Sequence, residues 1–206
     1  MRVELIGYYG SDETHALSAW TSTSRDLDDA KRDRIPDLLK YLATNGHETP
    51  FEKSTLHFLL TCDVASHIHL LKHRIGVSVN AESARYRELK DKFYVPADWP
   101  EDLQAMLIED IQHSFNQYHY YLNMLVERGF SRSRAKESAR FILPYDNEIT
   151  QDVAFNFRSF IHFQRLRNDE HAQLEIREIA KSMLALVAET GAFEHSLAAF
   201  GLPSYS

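Results

Sequence analysis

From Glu101 to Arg128 apolar side chains recur at helical spacing: Leu103, Met106, Leu107, Ile111, Phe115, Tyr118, Leu122 and Leu125. Gly129 stops the run. Three more helical stretches follow. Ser131 to Ile142 has Ser131 or Ser133 as its N-cap and ends at Leu143-Pro144. Residues 151 to 168 read as the next helix, and Asp169 to Thr190 as the last, through Leu174, Ile176, Ile179, Met183, Leu184 and Leu186. A chain so committed to helix after Pro100 must find its sheet earlier. Val3 to Tyr9 reads as a strand, and so does Leu56 to Thr61. Between them, Ala16 to Trp20 forms a short helical turn, and Asp26 to Thr44 is a helix broken at Pro36 with Asp26 as cap. Val64 to His73 is helical, and Phe93 to Pro96 is extended. The expected fold is α/β (α+β), a mixed sheet with flanking helices and a helical C-terminal half, in one domain over residues 1–206.

Charge and cysteine content narrow the function. A net charge of −7 makes the chain as a whole a poor binder of nucleic acid, so any phosphate must be met by a local cluster. The single cysteine, Cys62, allows no internal disulfide and fits a reducing, cytoplasmic setting. Neither a signal peptide nor a membrane span is expected, because the apolar run at the N-terminus is short and carries Glu4.

One local cluster stands out. Lys72, His73 and Arg74 open a stretch that closes with Ser83, Arg85 and Tyr86, with Gly76 between them. Basic donors at both ends of a small-residue loop suggest an anion cradle, since guanidinium forks suit phosphate. The same run also reads as a solvated basic turn. Further on, Arg140 precedes Phe141-Ile142-Leu143, Arg158 sits between Phe157 and Phe160, and Arg165 and Arg167 flank Leu166. So many arginines on apolar faces exceed the needs of one phosphate and point to two anionic ligands, although long basic chains also snorkel.

Other chemistries are poorly served. His57, His67, His69 and His73 cluster in sequence, and on a helix His69 and His73 would be i, i+4 neighbours able to share a metal. The paired Glu-x-x-His motifs of a di-iron bundle are missing, so no metal is expected. Cys62 ends a buried strand, where a thiol is packing material. Neither a nucleophile elbow nor a phosphate-binding glycine loop is present.

These residues, in this order, resemble the flavin-dependent thymidylate synthases. The family's His-Glu-Thr-Pro-Phe-Glu is His47 to Glu52 here, and its Arg-His-Arg, then Ser-x-Arg-Tyr, is similar to Lys72-His73-Arg74 followed by Ser83-Ala84-Arg85-Tyr86. Phe93 to Pro96, Arg140 to Pro144, Asn156-Phe157-Arg158-Ser159 and Leu166-Arg167 with Ala172-Gln173 and Glu175 complete the likeness. The resemblance implies FAD held by His47, Thr49, Glu52, Lys72, His73, Arg74, Asn80, Asn156, Arg158 and His162. It implies a uracil nucleotide held by His69, Glu82, Ser83, Ala84, Arg85, Arg140 and Arg167, with Arg167, Ser83 and Arg85 taking part in the chemistry. The implied reaction methylates dUMP to dTMP, with methylenetetrahydrofolate as carbon donor and NADPH as reductant. The implied assembly is a homotetramer with sites built from several subunits.

The chain also departs from the pattern. Lys72 replaces an Arg, eight residues rather than seven separate Arg74 from Ser83, Ala81 precedes Glu82 where the family has its Glu, His69 stands for Gln, and His162 for a frequent Asn. These changes lie around the ligands and leave open the family's other branch, which methylates UMP for nucleoside-antibiotic synthesis. A flavin-binding protein without methylase activity and a colourless helical interaction module are the alternatives from other classes.

Overall fold

The computed structural model describes residues 1–24, 26–83 and 85–203. Among these, four antiparallel strands, β1 (Arg2–Tyr9), β2 (Thr55–Asp63), β3 (Val77–Ala81) and β4 (Glu148–Phe155), form one sheet in the order β1-β2-β4-β3. The helices are α1 (Asp12–Trp20), α2 (Asp29–Arg32), α3 (Ile35–Thr44), α4 (Val64–Leu70), α5 (Glu101–Glu127), α6 (Arg132–Ala139), α7 (Phe157–Arg167), α8 (Leu174–Glu189) and α9 (Glu194–Ala199). The α/β (α+β) class holds, but the sheet is antiparallel rather than mixed. The reason lies in β2, where Leu56, Phe58, Leu60 and Cys62 are buried and the residues between them are less so, the one-sided alternation of an antiparallel sheet.

Sequence periodicity misassigned one segment. Residues 151 to 155 are the end of β4, not the start of a helix. Gln151, Val153 and Phe155 are buried on alternate positions, a period of two. Asn156 then caps α7, accepting from the Ser159 N–H at 2.8 Å. The spacing of Val153, Phe157 and Phe160 suits a continuous helix as well. Elsewhere β3 lies inside the basic stretch, α4 stops at Leu70 before the Lys72 cluster, and α9 follows beyond the last helix expected from the sequence. Phe93 contributes only an isolated bridge to Asn147. Asp28, not Asp26, caps α2, and Pro36 sits in the first turn of α3, where its missing N–H costs nothing.

The chain divides into two compact units, and β2 and β4 run from one into the other. The first unit comprises Met1, Thr61–Ile68 and Ala81–Gln151. Its core sits where α5 meets α6, with Tyr118, Leu122, Ala135 and Ala139 buried against Leu89, Leu125, Ile142 and Leu143. The Tyr118 hydroxyl accepts from the Leu89 N–H at 3.3 Å, so that buried polar atom is satisfied.

The second unit comprises Arg2–Leu60, His69–Asn80 and Asp152–Ser206. Phenylalanines fill it. Phe51, Phe157 and Phe193 surround the His15 ring at 5.1–5.8 Å, and Phe58 stacks on Phe160 at 6.0 Å. His15 is neutral there, and burial pushes its pKa down to about 4. Its partners dictate the tautomer. Ser196 Oγ donates to Asp12 Oδ1 at 2.5 Å, so it must accept from His15 Nδ1 at 2.8 Å, leaving Nε2 to accept from the Ser54 hydroxyl at 2.8 Å. Among the described residues no helix is long and apolar enough to cross a membrane.

Candidate active site

The loop after α4 is pinned to the start of α7. Ser159 Oγ donates to the Ile75 carbonyl at 2.6 Å, and the Asn156 N–H to the Gly76 carbonyl at 2.9 Å. Gly76 adopts φ +65°, and a Cβ there would run into the Asn156 amide and the Ser159 hydroxyl. Glycine is required on both counts. The locked loop presents Lys72, His73 and Arg74 to a cleft of about 550 Å³.

His73 is the pivot of that cleft. It is 8% exposed and packs edge-on against Phe163 at 5.0 Å and His162 at 5.9 Å. Arg167, at the C-terminal end of α7, donates from Nε to His73 Nε2 at 3.0 Å. Nε2 therefore carries no proton and the ring is neutral. Burial, then the Arg167 and His162 charges, push its pKa down to about 4. A second nitrogen of Arg167 donates to the His69 carbonyl at 3.4 Å, so the guanidinium is oriented before any ligand arrives. His69 is held in turn. Gln173 donates to Glu175 at 2.7 Å, which leaves the Gln173 oxygen to accept from His69 Nε2 at 3.0 Å. With α4 ending at Leu70, His69 and His73 are not helical i, i+4 neighbours, and their ring nitrogens serve Gln173 and Arg167 instead.

Arg158 donates to Glu48 at 2.8 Å and to Glu52 at 2.6 Å. Those two carboxylates raise its pKa above the usual arginine range. The group is half exposed, so its worth is positional more than energetic. Five cations, Lys72, Arg74, Arg158, Arg165 and Arg167, and two carboxylates, Glu48 and Glu52, line the cleft alongside apolar Ile161, Leu166 and Phe200. His47 and Thr49 stand exposed before Glu52, and Asn80 is exposed on β3; none of the three lines the cleft wall. Arg165 is among the arginines expected to meet anionic ligands, whereas Glu48 and Ser159 carry no such expectation from the sequence. Glu48 lay within the His47–Glu52 motif, and Asn156-x-x-Ser159 carries the spacing of a capping pair.

The remaining sequence candidates belong to the first unit. Glu82 accepts from the Thr150 N–H at 2.9 Å. The Ser83 hydroxyl accepts from the Arg85 N–H at 3.3 Å, and no base among the described residues is hydrogen-bonded to it. Arg85 donates from Nε to Glu137 at 2.7 Å and holds that carboxyl below its usual range. Arg140 is exposed just past α6. Ala84 lies outside the described residues. Cys62 is no nucleophile: burial, then the Asp63 charge, push its thiol up to about 12, and Gln151 donates to its sulfur at 3.4 Å.

A profile of the thymidylate synthase complementing protein family matches residues 4–190. The chain belongs to this family. Flavin-dependent thymidylate synthases are among its relatives. That of Pseudothermotoga lettingae is 32% identical over 185 residues, spanning 86% of this chain and 80% of its own. That of Thermotoga neapolitana is 32% identical over 191 residues, spanning 91% and 85%. A solved structure of PolB, a UMP/dUMP methylase from Streptomyces cacaoi bound with 5-Br dUMP, superposes with TM-score 0.81 at 27% identity, covering 97% of this chain and 94% of that one. The form bound with 5-Br UMP gives TM-score 0.81 at 25% identity. The chain is therefore an enzyme of the flavin-dependent thymidylate synthase family.

Proposed function

We propose that the enzyme methylates C5 of a uracil nucleotide, converting dUMP to dTMP, with FAD as cofactor. Methylenetetrahydrofolate supplies the carbon and NADPH the hydride. In balance, C5 loses its hydrogen as a proton and gains a methyl group, while tetrahydrofolate and NADP⁺ leave. The observation that carries the reading is the Arg167–His73 pair set in a cationic, partly apolar cleft.

The residues present fit a flavin dinucleotide. Lys72, Arg74, Arg158 and Arg165, partly offset by Glu48 and Glu52, leave net positive charge for a diphosphate, Ile161, Leu166 and Phe200 offer apolar surface to a ring system, and Gly76 permits close approach of loop and α7. A bound reduced flavin supplies the electrons that complete the methyl group. The chain's own part is placement and charge. Neutral His73 accepts from Arg167 and keeps the guanidinium aimed, so its remaining donors can stabilise negative charge developing on the pyrimidine. The buried, high-pKa thiol of Cys62 is consistent with a route that needs no cysteine nucleophile. For the nucleotide, the reading assigns His69, Glu82, Ser83, Ala84, Arg85, Arg140 and Arg167. His47, Thr49, Glu52, Asn80, Asn156 and His162 complete the proposed FAD set. Ile75, Tyr86 and Phe141 are 90%, 85% and 80% exposed, and covering them with further copies of the chain supports the homotetramer.

UMP is the second substrate to weigh, favoured by the likeness to PolB, which its structures show with both bromo-nucleotides. A paired turnover assay decides. Purified protein receives FAD, NADPH and methylenetetrahydrofolate, with dUMP in one tube and UMP in the other, and C5-methylated product is counted. Clear preference for dUMP supports the main reading, and equal or better use of UMP the second. NADPH oxidation with neither nucleotide methylated would overturn both.

A further inference from the structure

The junction of β2 and α4 carries oxygens that the rest of the protein leaves unmatched. Asp63 is 3% exposed, Ser66 0% and Asn147 3%. Asp63 accepts from the Ser66 N–H at 2.8 Å through Oδ1 only. The Val64 N–H reaches the carbonyls of Tyr145 and Asn147 at 2.9 and 3.2 Å, which holds the turn at 145–147 against the same junction. Four side-chain oxygens there, Asp63 Oδ2, Ser66 Oγ, Asp146 Oδ1 and Asn147 Oδ1, are sealed from solvent and meet no hydrogen-bond partner among the described residues. All four belong to the first unit.

Folded proteins hold few such atoms, and each calls for a physical reason. Here two of them, Asp63 Oδ2 and Asp146 Oδ1, are carboxylate oxygens, and no protein donor reaches either atom among the described residues.

We propose that Asp63, Ser66, Asp146 and Asn147 bind a hard divalent cation of the calcium or magnesium class. Two carboxylates, an amide oxygen and a hydroxyl form an all-oxygen donor set, with neither sulfur nor ring nitrogen, and two negative charges balance one divalent ion. Among the described residues no three His, Cys, Asp or Glu side chains converge on a metal position. The site thus rests on two charged and two neutral ligands. The bound ion clasps the end of β2 to the 145–147 turn.

The test uses the full chain, stripped with EDTA and desalted. Calorimetric titration with CaCl₂, and separately with MgCl₂, is expected to give one ion per chain. Thermal melts at constant ionic strength should rise by about 5 °C at saturating ion over a NaCl control. Asp146→Asn, isosteric and neutral, should weaken binding at least about tenfold, and Ser66→Ala, which removes no charge, should weaken it by a smaller factor. Wild type that takes up no ion and melts alike in CaCl₂ and NaCl overturns the proposal, because the carboxylates then share a proton or water. Asp146→Asn binding as tightly as wild type overturns it as well.

Discussion

The loop carrying Lys72 to Gly76 and the residues Glu82, Arg85 and Arg87 lie near one another in sequence, yet they are held on different principles. The first is locked from below. Two hydrogen bonds tie it to α7, a positive-φ glycine admits the close approach, and a buried neutral histidine aims an arginine. The second is held by exposed ion pairs, Arg85 to Glu137 and Arg87 to Glu82. Buried, directional contacts pre-set a geometry at a cost met during folding, whereas exposed pairs are exchangeable with water or with a ligand anion. The difference teaches that the cleft is organised in the free protein, while Arg85 is parked on a carboxylate that a phosphate can replace.

Substitution of the two arginines gives the largest contrast. Arg167→Lys loses the planar fork that spans His73 and the His69 carbonyl, and turnover should fall about 100- to 1000-fold. Arg85→Lys keeps a mobile charge and should mainly raise KM. Full turnover by Arg167→Lys in a steady-state assay would remove it from the chemistry.

The next contrast concerns rigidity. Gly76→Ala places a methyl against Asn156 and Ser159 at a positive φ, and should cost about 1–3 kcal/mol and strip the flavin colour on purification. Asn80→Ala, on exposed β3, should leave the melting temperature unchanged. A Gly76→Ala protein that melts normally and purifies yellow breaks the claim that the loop is locked.

Acid should loosen the cleft unit through its histidines. His73 and His15 have folded pKa values of about 4, below the ordinary value of 6.5. Between those limits the unfolded chain binds protons that the native one refuses, so stability falls as pH drops from about 6.5 to about 4. His73→Gln can still accept from Arg167 but does not titrate, so its melting temperature should fall less steeply over that window. Identical slopes for variant and wild type would show that His73 is not the titrating group.

The smallest expected effect sharpens the account of the exposed segment. Glu137→Ala frees Arg85 and should leave stability within about 0.5 kcal/mol of wild type. Nucleotide KM should stay level or drop severalfold, while Arg85→Ala raises it. A rise in KM for Glu137→Ala would mean that the pair positions Arg85 rather than stores it.

Sequence alone determined a good deal here. The apolar spacing from Leu103 to Leu125 marks α5, Ser131 and Ser133 are the two candidate caps of α6, of which Ser131 serves, and the ordered motifs from His47 to Glu175 are enough to reach the family. Such signals are local, set by periodicity and by side-chain-to-backbone hydrogen bonds a few residues apart. Tertiary structure decided the rest. Val153, Phe155, Phe157 and Phe160 suit a helix as well as a strand followed by a helix, and only pairing within the sheet chose the second. Nothing in the order of residues announced that Arg167 would reach His73, or that Arg158 would meet Glu48 and Glu52 more than a hundred positions away. Those contacts exist because burial of the phenylalanine core brings distant segments together, and their chemistry depends on the desolvation that only packing creates.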